Sequence, residues 1–115
     1  MALQLSAHQQ SFLLEEERKL VERAQENPRY FAPLYERYHD AIFRYIYRRV
    51  DEEEQAYDIT SSVFVKALQG LHKYEFRGLP FSSWLFRIAK SELYQSFRDQ
   101  KAKRTVSIDK VVLKQ

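Results

Sequence analysis

Apolar side chains recur along this chain at steps of three and four, with charged residues between them, and the pattern predicts helices rather than strands. Between Phe12 and Glu26, Leu13, Leu14, Leu20, Val21 and Ala24 fall inward and leave Glu15, Glu16, Glu17, Arg18 and Lys19 to solvent. Asn27-Pro28 marks a boundary, because Asn caps helices and Pro fits a first helical turn. A second helix follows on Leu34, Tyr38, Ala41, Ile42, Tyr45 and Ile46. The acidic run Asp51 to Glu54 suits the positive end of a third, which buries Ala56, Ile59, Val63, Phe64, Ala67, Leu68 and Leu71 and weakens at Gly70. Gly78 then permits a positive φ, Pro80 fixes its own, and a fourth helix starts near Phe81 or Ser82 with Leu85, Ile88, Ala89 and Leu93 inward. Residues 1–10 lack periodicity and read as a flexible start, and 105–115 read as a linker-like tail. The expected architecture is all-α, a compact bundle of about four helices over residues 11–104.

Composition narrows the class. With 44% hydrophobic residues the chain is too apolar to be disordered. It has no cysteine, which excludes a disulfide framework, and three scattered histidines (His8, His39, His72) that offer no metal spacing. No signal peptide or membrane-length apolar run is present, so a cytoplasmic monomer without cofactor or metal is expected. No nucleophile elbow or phosphate loop is present and no catalytic set can be assembled, which points to a binding protein rather than an enzyme.

Charge adds a direction. The net charge is +3, yet residues 1–72 carry a net −3 and residues 73–104 a net +5. In the fourth helix Ser83, Arg87, Lys90, Ser91, Tyr94 and Arg98 fall within an arc of about 100°, followed by Lys101. Tyr74, Phe76 and Arg77 sit in the turn just before. Aromatic faces for stacking beside cations for phosphates suit unpaired nucleic acid better than an intact groove. Phe81, Trp84 and Phe86 belong to the core on their spacing.

Three stretches carry a family resemblance: LVERAQENPRYFAPLYERYHDAIFRYIYRRV, DEEEQAYDITSSVFVKAL and FRGLPFSSWLFRIAKSEL. With the pattern Pro-Phe-x-x-Trp-Leu-x-x-Ile-Ala, they resemble region 2 of a bacterial sigma factor of the sigma-70 family, in its extracytoplasmic-function (ECF) group. The resemblance implies two faces. One docks on the β′ clamp coiled coil of RNA polymerase through the helix from Tyr57 to Leu68, with Asp58 as ionic contact and Ile59, Ser61, Ser62 and Val65 beside it. Ser61-Ser62 stand where the family commonly has Gln-Glu. The other captures the non-template strand of the minus-ten promoter element and helps melt it. A base flips into a pocket between the turn Tyr74 to Phe81 and the following helix, stacking on Tyr74 or Phe76. Ser91 stands where an Asn often reads that base. Phosphate contacts fall to Arg77, Arg87, Lys90, Arg98 and Lys101. A full-length factor of this group also carries region 4, which this chain is expected to lack. The rival readings are an interaction module sequestered by, or acting with, an anti-sigma factor, and a generic helical DNA-binding domain.

Overall fold

Four helices form where the apolar periodicity places them, and their inward stripes meet in one core. The computed structural model describes residues 5–113. Helix α1 spans Ala7–Glu26, α2 Ala32–Tyr47, α3 Glu53–Gly70 and α4 Phe81–Leu113. Short 3-10 turns, Pro28–Phe31 and Leu71–Lys73, follow α1 and α3. No strand occurs among the described residues, and no helix is long and apolar enough to cross a membrane. The core is built from Val21 and Ala24 of α1, Leu34, Ile42 and Ile46 of α2, Ala56, Ile59, Val63 and Ala67 of α3, and Phe81, Leu85, Ala89 and Leu93 of α4. Burying each of the larger side chains contributes about 1.5–3 kcal/mol.

Both chain ends differ from the sequence expectation. Residues 7–10 are helical because Ser6 and Gln9 form a reciprocal cap: the Ser6 hydroxyl accepts the Gln9 N–H at 3.1 Å and the Gln9 amide oxygen accepts the Ser6 N–H at 2.8 Å. This first stretch of α1 precedes the core, so Phe12 and Leu13 are 60% and 50% exposed. Residues 1–4 of the expected flexible start lie outside the described residues. At the other end, residues 105–113 continue α4 instead of forming a tail. No Gly or Pro follows Pro80 to stop the helix, and the Thr105 hydroxyl donates to the Lys101 carbonyl at 3.0 Å. Every described side chain from Phe97 to Val112 is exposed, so this part of α4 stands clear of the core. Lys114 and Gln115 lie outside the described residues.

One inward assignment on α3 also changes, and one core position is added. Leu68 is 42% exposed, and Thr60 takes a core position on α3 with its hydroxyl unpartnered among the described residues. Glu17, expected in solvent, is buried at 7% exposure. It lies four residues before Val21 and seven before Ala24, on the same inward stripe.

A buried carboxylate is costly unless every lone pair finds a donor. Glu17 meets three. One oxygen accepts the backbone N–H of Phe81, the first residue of α4, at 2.7 Å. The other accepts from Arg37 Nη1 at 3.1 Å and from the Tyr38 hydroxyl. One side chain of α1 thus caps α4, satisfies an orphan helix donor and places negative charge at the positive end of the helix dipole. Burial, and then the Glu17 carboxylate, push the Tyr38 hydroxyl far above the ordinary tyrosine range, so it stays a donor.

Gln25, two helical turns further on, supplies a second tie. Its side-chain amide donates to the carbonyls of Leu71 at 3.0 Å and Tyr74 at 2.8 Å, fixing the start of the segment that leads into α4. Between them Glu17 and Gln25 hold both ends of residues 74–81.

Two outcomes follow from these ties. Glu17→Ala strands the Phe81 amide and the Tyr38 hydroxyl, each worth roughly 1–3 kcal/mol, and lowers unfolding free energy by about 3 kcal/mol in chemical denaturation. A loss under about 1 kcal/mol would show that the clamp carries little stability. Gln25→Ala leaves helix protection intact in hydrogen exchange but speeds exchange of amides in residues 74–80 about tenfold, equivalent to about 1.4 kcal/mol of local stability. Unchanged exchange there would remove Gln25 from the turn's support.

Candidate nucleic-acid interface

The turn before α4 is shaped by backbone first. Gly78 adopts φ of +77°, a conformation that strains any side-chain-bearing residue. Pro80 precedes the Glu17-capped start of α4, and its carbonyl accepts the Ser83 N–H at 3.0 Å. The result is a cleft of about 310 Å³ between turn and helix, walled by Tyr74, Leu79, Pro80 and Trp84 and rimmed by Lys73, Glu75, Arg77, Ser83 and Arg87. That volume lies at the lower end of the range of ligand-sized sites.

Two rings, Tyr74 and Trp84, build its aromatic wall, and the buried Phe81 packs behind both. Tyr74 meets Phe81 edge-on with centroids 5.1 Å apart and tilts over Trp84 at 5.1 Å, while Phe81 and Trp84 lie 5.3 Å apart. Phe81 is buried, as its spacing predicts, whereas Trp84 and Phe86 are half-buried and pack on the core's margin. Trp84 sits close above Gly70, where an added Cβ would lie 3.5 Å from the indole. The Tyr74 hydroxyl is pushed above its ordinary range by burial, and next by the Glu17 carboxylate, and remains protonated at neutral pH.

The two turn aromatics separate. Tyr74 lines this cleft and also borders the smaller one toward α1, whereas Phe76 does not reach the main cleft. Phe76 turns instead toward α1, where the Arg18 guanidinium lies 5.1 Å above its ring, beside a second cleft of about 200 Å³ that also includes Glu17 and Gln25. Phe76 therefore braces the turn against α1 and does not line the main cleft.

The cationic edge is present and open. Ser83, Arg87, Lys90, Ser91, Tyr94, Arg98 and Lys101 are all exposed along α4. Among the described residues no carboxylate pairs with Arg87, Lys90, Arg98 or Lys101. Arg98 instead donates to the Gln95 side chain at 3.1 Å. Arg77 has only a loose, solvent-exposed contact with Glu75 at 3.8 Å, which leaves its charge available. Ser91 does not line the cleft. It stands eight residues beyond Ser83, about 12 Å along the axis.

On α3 the second expected face divides. Asp58, Ser61, Ser62 and Val65 are exposed and share one side of the helix at steps of three and four. Tyr57 and Leu68, 49% and 42% exposed, flank them with apolar surface. Ile59 is 6% exposed and belongs to the core, so it supports that face from behind. Asp58 also lines clefts that include Lys103 and Arg104 of α4. No cluster of three or more metal-ligating side chains occurs among the described residues.

The sequence reading missed the parts of the site contributed by α1. Gln25 carries no motif, and Arg18 and Glu17 sit inside a charge run that reads as solvated. Their roles depend on how α1 lies against the turn.

Comparison with known proteins gives the family. The sigma-70 region 2 family matches residues 34–103, which take in most of α2, all of α3 and the basic edge of α4. The chain is 36% identical over 90 residues to the ECF RNA polymerase sigma factor BldN of Streptomyces coelicolor, covering 77% of this chain and 34% of BldN. It is 38% identical over 66 residues to the RNA polymerase sigma factor YlaC of Bacillus subtilis, covering 56% of this chain and 37% of YlaC. It is 28% identical over 74 residues to the ECF RNA polymerase sigma factor SigX of Bacillus subtilis, covering 64% of this chain and 38% of SigX. The chain thus spans about a third of the length of the curated relatives it matches. No solved structure matches it. With a family match over α2 to α4 and relatives of the ECF kind, the chain belongs to the sigma-70 family as a region 2 domain of the extracytoplasmic-function group.

Proposed function

We propose that this domain acts in transcription initiation, docking on RNA polymerase through α3 and holding an unpaired base of the non-template minus-ten strand in the turn cleft. The observation that carries the reading is the cleft itself: an aromatic wall of Tyr74 and Trp84, a rim of Ser83, Arg87 and Arg77 with Glu75 only loosely beside it, and, among the described residues, no carboxylate paired with the α4 cations beyond it. Tyr74 is the stacking residue in this reading, since Phe76 is engaged with Arg18.

The work is binding, not bond-making. Flipping a base out of a duplex costs a few kcal/mol. Stacking on an aromatic wall offsets about 1–3 kcal/mol of this. Arg77, Arg87, Lys90, Arg98 and Lys101 supply the rest through the phosphates, and the polymerase-bound domain then biases the duplex toward opening. In this reading Ser83, at the cleft rim, hydrogen-bonds the captured base, and Ser91, outside the cleft, meets the strand further along. On α3, Asp58 supplies charge and Val65, Tyr57 and Leu68 supply apolar surface for the β′ coiled coil.

Arg87→Ala and Lys90→Ala should each weaken binding to a single-stranded promoter oligonucleotide and flatten its salt dependence by about 0.7 per lost phosphate contact. Unchanged slopes in both variants would take the α4 edge out of the strand's path. Asp58→Arg should lower affinity for an isolated β′ clamp coiled coil at least tenfold, about 1.4 kcal/mol. Equal affinity in wild type and variant would remove this face of α3 from docking.

A further inference from the structure

A separate cleft of about 290 Å³ opens between the end of α2 and the outer side of α4. Tyr45 and Arg49 line it from one side, and Lys90, Tyr94 and Phe97 from the other, over a floor that includes Leu93. The sequence places Lys90 and Tyr94 on the cationic edge and Phe97 next to them at helical spacing, but Tyr45 and Arg49 join them only in three dimensions.

Its construction is specific. The Arg49 guanidinium lies 3.8 Å above the centre of the Tyr45 ring, and Arg49 Nη1 donates to the Tyr45 carbonyl at 2.8 Å, so the cation is held over the ring. Tyr45 is itself anchored edge-on against Phe86, with centroids 5.4 Å apart. Opposite, Tyr94 and Phe97 are 56% and 40% exposed, which core packing does not require. No carboxylate lines the cleft, and among the described residues none pairs with Arg49 or Lys90. Two unneutralised cations between exposed rings suit an anion that carries a flat π-face. A purely apolar protein partner would have to desolvate both cations without compensation.

The cleft also continues the site at the turn. Lys90 stands one helical turn from Arg87, which rims the turn cleft. From Arg87 to Tyr94 is about 10 Å along the helix axis, a distance that a few nucleotides of one extended strand span. We propose that the α2–α4 cleft is a second base-stacking subsite for the same single strand, taking a base a few nucleotides from the one held at Tyr74. Arg49 and Lys90 bind the intervening phosphates, and Phe97 and Tyr94 provide the stacking faces. This rests on the reading of the turn cleft as a single-strand site.

The test measures binding of a labelled oligo-thymidylate strand of about twelve nucleotides, and of a duplex of equal length, by fluorescence anisotropy. It compares wild type, Phe97→Ala, Phe97→Trp, Arg49→Ala and Tyr74→Ala, each checked for helicity. Phe97→Ala is expected to weaken single-strand binding about tenfold, to affect the duplex less and to leave the salt slope unchanged; Phe97→Trp restores the affinity. Arg49→Ala is expected to weaken binding and flatten the slope. Full affinity in Phe97→Ala, with loss in Tyr74→Ala, would overturn the second subsite and leave the turn cleft standing. Loss confined to Arg49→Ala would reduce the cleft to a phosphate contact and overturn stacking there. Equal losses on strand and duplex would assign it to duplex DNA and also overturn the proposal. Failure of the wild type to bind the strand at all would remove both sites.

Discussion

The Glu17 carboxylate is the contact on which the rest of this structure depends. It is buried, it comes from the helix outside the family match, and it meets α2 through Arg37 and Tyr38 and α4 through the Phe81 amide. A charge taken out of water at this depth is tolerated only when its donors are fixed. The relation also works in reverse: the carboxylate fixes where α4 begins. Where α4 begins decides where Trp84 stands relative to Tyr74, and so whether a cleft exists between them.

The helices behind that clamp divide each surface between core and function. On α4, Phe81, Leu85, Ala89 and Leu93 are buried while Ser83, Arg87 and Lys90 face outward at intervening positions. On α3, Ile59 and Val63 are buried while Asp58, Ser62 and Val65 stay open. A rigid helix can therefore hold a binding edge in register with no loop contribution beyond residues 74–80. The exposed stretch of α4 past Phe97 extends the same rod, and the described chain reaches 68 Å in its longest dimension.

Much of this was legible in the residues. The step of three and four placed α2 and α3, Gly78 announced its positive φ, and of the two starts open for α4, Phe81 and Ser82, the helix takes Phe81. What escaped has physical causes. Glu17 shares the stripe of Val21 and Ala24, but a charged side chain is assigned to solvent unless its partners are known, and those lie in other helices. Ser6 and Gln9 formed a readable cap signal ahead of a segment without apolar periodicity. Residues 105–113 are rich in β-branched side chains that disfavour helix mildly, yet nothing there breaks one. Leu68 stays outside and Thr60 inside because the inward arc of α3 runs over Ile59, Val63 and Ala67 and excludes position 68. The separation of Tyr74 from Phe76, and the meeting of Tyr45 and Arg49 with Phe97, are tertiary facts that spacing alone does not contain.

Trp84 is the single tryptophan of the chain and forms part of the cleft wall, so its emission reports directly on that site. The decisive measurement is a titration of Trp84 fluorescence with a single-stranded minus-ten oligonucleotide and with the same sequence as duplex. Capture of an unpaired base beside Tyr74 predicts a saturable change in emission with the single strand, and little or none with the duplex. Unchanged Trp84 emission while the strand demonstrably binds, or an equal change with the duplex, would contradict it.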